Sequence, residues 1–204
     1  MIRRVGLVAQ ALLIAACANP MPSPPSIHVP TATATAPRPT GPFDELTTRP
    51  LAPPDSAAGP CPVDALAEID PRIAPALGPG PIYPVMAGDQ VSLTDVTRGA
   101  FDRYHLKTLW VATDPVDERI LVRVTALGTL DGRAPGVSGS HAVVDGIATQ
   151  LRLGPDASLR FGDGPMPEGW RPWSSSTLVD GPGCYAFQID TGRATAHVVF
   201  EVVP

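Results

Sequence analysis

Residues 61–204 are predicted to form an all-β sandwich, on three observations. Short runs of β-branched and aromatic residues recur along this stretch, and Gly, Pro and Asp clusters separate them at short intervals. Only 62–69 looks helical, and for one or two turns at most. The clearest strand runs are 106–112, 119–126, 147–153, 184–190 and 194–203; weaker ones lie at 82–86, 158–161 and 176–179. Period-two alternation sharpens three of them. Ile120, Val122 and Val124 oppose Arg123 and Thr125; Tyr185, Phe187 and Ile189 oppose Gln188 and Asp190; Val198, Phe200 and Val202 oppose His197 and Glu201. Each pattern predicts one buried face and one wetter face. Thr191-Gly192 marks a hairpin turn in which Gly192 is free to take positive φ. Many short strands at this spacing suggest an immunoglobulin-like sandwich of roughly 140 residues.

Two segments of different character precede it. Residues 1–16, MIRRVGLVAQALLIAA, have a basic start at Arg3 and Arg4, an apolar run, and small residues at Ala15 and Ala16. This is the grammar of a signal peptide, and the run is too short to span a bilayer as a helix. Residues 18–60 hold 12 of the chain's 26 prolines, mixed with Ala, Thr, Ser and Gly and without hydrophobic periodicity. Such a stretch buries too little apolar area to offset chain entropy, so 17–60 is expected to be a disordered, partly polyproline II spacer, with the domain starting at Cys61.

Ile14-Ala15-Ala16-Cys17 resembles the lipobox of bacterial lipoproteins. The resemblance implies cleavage before Cys17, a diacylglyceryl thioether on its sulfur and acylation of its new amine. Two or three long chains anchor a protein durably where one is marginal. The implied partner is a membrane: the outer face of the cytoplasmic membrane, or the outer membrane.

Charge argues against one class of partner. The chain carries 15 basic and 20 acidic residues, a net −5, and without Arg3 and Arg4 the mature chain stands at −7. Lys107 is its one lysine, and no basic block survives, so nucleic acid is not an expected partner. Once Cys17 is lipidated, Cys61 and Cys184 remain, and an exported chain permits disulfides. They are expected to pair, with two buried free thiols as the alternative. Cys184 lies on the face opposite Tyr185, Phe187 and Ile189, so the bond reads as a staple from the domain's first residue onto a late strand. An antibody's inter-sheet cystine would share the tyrosine's face.

The segments Lys107-Thr-Leu-Trp-Val111, Ile120-Leu-Val-Arg-Val124 and Pro182-Gly-Cys-Tyr-Ala-Phe-Gln-Ile-Asp190 resemble a group of uncharacterised bacterial lipoproteins with a small C-terminal immunoglobulin-like domain. Their shared pattern is KxLW followed by PGCYxxQ(V/I)D. The resemblance implies a fold and a location, and brings no catalytic residues.

Chemistry is sparse. His28, His105, His141 and His197 are isolated, without metal-ligand spacing. Gly136-Val-Ser-Gly-Ser140 misses the nucleophile-elbow pattern at its last position, and a loop is the plainer reading. Asp114, Asp117 and Glu118 lack the alternation of a calcium loop. Trp170 and Trp173 flank Arg171-Pro172 in an expected loop or edge; they either pack on the sandwich or form a flat platform for a sugar ring. The expectation is a non-catalytic interaction or envelope-associated module that needs no metal or cofactor, with an envelope protein or glycan as partner. A carbohydrate-binding domain is the alternative and a hydrolase the remote one.

Overall fold

The computed structural model describes residues 41, 43–54, 59–113, 119–128, 132–138, 142–144, 147–154 and 166–204. Cys17, His28, Asp114, Asp117, Glu118, His141 and the run 158–161 lie outside the described residues. Twelve strands are described: β1 Leu66–Ala67, β2 Ala76–Leu77, β3 Ile82–Val85, β4 Gln90–Ser92, β5 Tyr104–Ala112, β6 Ile120–Leu127, β7 Gly136–Val137, β8 Ala142–Val144, β9 Ile147–Leu153, β10 Arg171–Val179, β11 Gly183–Thr191 and β12 Thr195–Val203.

The fold is all-β. One layer runs β1-β2-β3-β5-β10-β7 and the other β6-β11-β12-β4. β9 joins them: Ala148 pairs with Val137 of β7, whereas Leu151, Arg152 and Leu153 pair with β6. The sheet thus curls into two facing layers. The close approach at that junction needs a residue without a side chain, since a Cβ on Gly136 would lie 2.2 Å from Ile147 Cγ2. In strand order, β3-β5-β10-β7 facing β6-β11-β12 is the ABED and CFG arrangement of an immunoglobulin domain. The β8–β9 pair between β7 and β10, and β4 paired parallel to β12, are additions to it.

Inward positions alternate as the sequence predicts. Leu106 and Trp110 of β5 meet Val122 and Val124 of β6, Tyr185, Phe187 and Ile189 of β11, and Val198 and Phe200 of β12 in one core. Trp110 and Phe187 meet edge to face at 4.9 Å, and Phe187 stacks on Phe200 at 4.7 Å. Two immunoglobulin features can be located. Tyr185, near the start of β11, donates its hydroxyl to Gly181 O at 2.8 Å, a tyrosine corner. Two residues on, where an antibody domain has its second cysteine, stands Phe187 against Trp110 of β5. An aromatic pair here occupies the place of the inter-sheet cystine.

Four expectations are corrected. The segment 62–69 is not helical. Asp64 N donates to Val199 O and Asp64 Oδ2 accepts from Val199 N, which holds the chain extended beside β12. Strand β10 begins at Arg171, so of the loop or edge expected here the loop is ruled out: Trp173 is a strand residue paired with Trp110, in the part of β10 that β7 does not reach. Gly192 does not take positive φ. Thr191 closes that turn instead, its Oγ1 accepting from Arg193 N and Ala194 N while its N–H reaches Ala194 O at 2.8 Å. Finally, ordered chain does not wait for Cys61, because residues 43–54 pack on the outer face of the second layer.

Candidate functional site

That outer face holds the densest polar network among the described residues. Gln188 and Asp190 were expected on a wetter face, yet they are 1% and 0% exposed. A strap covers them. Phe43 leads into a single helical turn, α1 (Asp44–Thr47), whose Leu46 is buried, and the Phe43 ring lies under the Arg152 guanidinium at 5.5 Å. Beyond α1 the chain is extended. Gln188 Nε2 donates to Pro50 O at 3.0 Å, and Ala52 N donates to Gln188 Oε1 at 2.8 Å. Arg123 Nη1 donates to Arg49 O at 2.8 Å, and its Nη2 pairs with Asp190 Oδ2 at 2.6 Å. Thr195 Oγ1 donates to Asp190 Oδ1 at 2.6 Å. The Arg49 side chain reaches Ala194 O at 3.2 Å and lies 3.9 Å from Asp190. At the other end of the same face Cys61 and Cys184 are disulfide-bonded, and they pack with Leu127, Ala186 and Val199.

The first layer carries an open groove of about 780 Å³ where β3 ends at Val85 and the chain crosses to β4. Met86, Val96, Lys107, Leu109 and Ser174 are among its walls. His105 borders it and shares its Nε2 with Ala100 O at 3.1 Å. Next in the chain is a strained loop that sequence reasoning missed: Phe101 and Asp102 both sit in the left-handed region, at φ 62° and 54°. Such residues cost of order 1–3 kcal/mol each unless their surroundings enforce them. Here Gly99 N to Arg103 O at 2.8 Å and the Arg98–Asp102 ion pair at 3.3 Å do so, leaving Phe101 half exposed. The adjoining Gly99 was the only sequence signal.

A second charged cluster supports the tyrosine corner. Arg103, fully buried, reaches Asp180 at 2.8 Å, and Arg133 binds the same carboxylate at 3.1 Å. Burial pushes the Asp180 carboxyl up, but hydrogen bonds from Arg133 and the charge of Arg103 outweigh it, and the net is a value below the ordinary carboxylate range. Burial raises the Tyr185 phenol.

The sequence-selected residues fall apart as a site. Trp170 packs with Ala76, Val85 and Val111, whereas Trp173 packs against the inter-layer core and donates Nε1–H to Gly154 O at 3.0 Å. The two indoles are half-buried in different clusters and do not form one platform. Ser138, the central serine of the near-elbow, accepts Ser176 N at 2.8 Å and extends the β7–β10 pairing. His197 is half-buried on β12 opposite Gln188.

Fold and site together define a β-sandwich of immunoglobulin strand order with an N-terminal strap over one face. No family model matches the chain, and no curated protein matches it. The resemblance of the KTLW and PGCYAFQID segments therefore rests on those residues alone; they form parts of β5 and β11. Among solved structures, a crystal structure of a Bacillus anthracis protein provisionally described as a lipoprotein is similar at a TM-score of 0.39 and 11% identity. The match covers 69% of this chain and 85% of that one. A likeness that distant carries neither fold nor function across.

Proposed function

We propose that the chain is an exported lipoprotein, held by lipids on Cys17 to the outer face of the cytoplasmic membrane or to the outer membrane. Its β domain acts as a non-catalytic interaction or envelope-associated module. The sequence Ile14-Ala15-Ala16-Cys17, at the end of a basic-then-apolar leader, is the observation that carries this reading. The Cys61–Cys184 disulfide suits the oxidising compartment such a leader addresses. The polar side chains of the domain interior also favour an interaction role, because Arg103, Arg123, Gln188 and Asp190 are engaged in holding strands, loops and strap. The test is metabolic labelling with palmitate. Cys17→Ser should abolish the label and leave the protein uncleaved, and normal labelling of that variant would refute the anchor.

A further inference from the structure

We propose that the outer face of β6 and β11 is a recognition site for an extended, Arg-Pro-containing segment of another polypeptide, and that residues 49–52 fill it in cis. This gives a partner class to the interaction role above, and it rests on that reading only for where the partner is met.

Three observations carry it. First, the face reads backbone. One Gln188 amide donates to Pro50 O and accepts from Ala52 N, as a neighbouring strand would, while Arg123 donates to Arg49 O. Leu51 between them is 44% exposed and contributes little, so the grip does not depend on the side chain there. Second, the one side chain that is read is a cation: the Arg49 guanidinium reaches Ala194 O and Thr195 Oγ1 beside the buried Asp190 carboxylate. Proline next to it suits the path, since Pro50 has no amide hydrogen to satisfy and its fixed φ favours extension. Third, the carboxylate at the centre of the site has partners outside the strap. Asp190 is held by Thr195 at 2.6 Å and by Arg123 at 2.6 Å, and Gln188 Nε2 also lies 3.1 Å from Asp190 Oδ2. When the strap lifts, a positioned set of donors and acceptors faces solvent.

A tethered segment competes at an effective concentration of order millimolar, and a trans peptide sees only the open fraction. The test uses the chain from residue 18 on and a fluorescent peptide of residues 43–54. Arg49→Ala with Ala52→Pro weakens the strap without touching the receiving face. This chain, checked by circular dichroism for its fold, should bind the peptide at least tenfold more tightly than the unaltered chain does. Binding should vanish when the peptide itself carries Ala52→Pro, and when Gln188→Leu is added to the weakened chain. A concentration-dependent dimer of the unaltered chain that Ala52→Pro abolishes would name a second copy's strap as the trans segment. A folded, strap-weakened chain that binds no better than the unaltered one overturns the proposal, as does binding that ignores Ala52→Pro in the peptide. Neither result bears on the lipid anchor, which palmitate labelling tests separately.

Discussion

Replacing Asp190 by Ala should destabilise the domain by about 3 kcal/mol. The carboxylate is fully buried and accepts from Thr195 Oγ1 and Arg123 Nη2, both at 2.6 Å. Removing one partner of such a pair leaves the other charge uncompensated, which costs about 3–5 kcal/mol. Arg123 keeps its bond to Arg49 O and its side chain is 14% exposed, so water relieves part of the loss and the lower end applies. In a domain of this size each kcal/mol moves Tm by about 2–4 °C, so a fall of about 6–12 °C is expected in calorimetry. Adding Arg123→Met should recover much of it, because a pair removed together and replaced by apolar atoms leaves no orphaned charge. Amide exchange gives a local readout: Ala52 N–H, bonded to Gln188, should exchange much faster in Asp190→Ala. A loss under about 1 kcal/mol with Ala52 still protected would show that the network is not what holds the strap.

Period two made the inter-layer core legible. The alternations in β6, β11 and β12 name Val122, Phe187 and Phe200 before any coordinates do, because a two-residue repeat with one apolar face has one sensible orientation. The same reasoning failed for the opposite face. Gln188 and Asp190 look like solvent positions in sequence, and only a strap 136 residues away in the chain makes them interior. The strap was itself misjudged, because its prolines and lack of periodicity read as disorder. Its contacts are hydrogen bonds from main chain to distant side chains, which leave no local pattern. Strands β1, β2, β4 and β7, two or three residues each, are too short to show any alternation. Trp173 was assigned to a loop or edge because Pro172 precedes it and Gly- and Pro-rich runs bound the segment. Yet β10 tolerates that proline beside Val111 and continues unbroken to Val179.

The remaining expectations concern stability. Tyr185→Phe removes the donor to Gly181 O and should cost about 1 kcal/mol in urea unfolding with the slope unchanged, the net value of a typical hydrogen bond. Trp110→Ala opens the core against Phe187 and should cost about 3–5 kcal/mol by the same measurement. Acid should unfold the domain. The Asp180 carboxyl is held below its ordinary value, and Arg72 brings the Asp70 carboxyl to about 2, chiefly by hydrogen bonding. Groups with depressed folded values contribute fully above the unfolded carboxylate pKa of about 3.9, and that contribution is lost as pH falls through the folded ones. Stability should therefore decline below about pH 4, and Asp180→Asn should flatten the decline. The last expectation separates the cystine from the core. Cys61–Cys184 spans 123 residues, and loop-closure entropy gives about 4–5 kcal/mol as an upper guide to its worth. Its sulfurs lie outside the inter-layer core, where Trp110 and Phe187 occupy the position an antibody domain gives to its disulfide. A Cys61→Ala, Cys184→Ala chain should thus melt lower yet keep its near-ultraviolet tryptophan signal. The Val63 and Asp64 amides, which bond to Cys61 O and Val199 O, should be the first to exchange. Collapse of the tryptophan signal at room temperature in that chain would mean that the cystine, and not the aromatic pair, ties the two layers together.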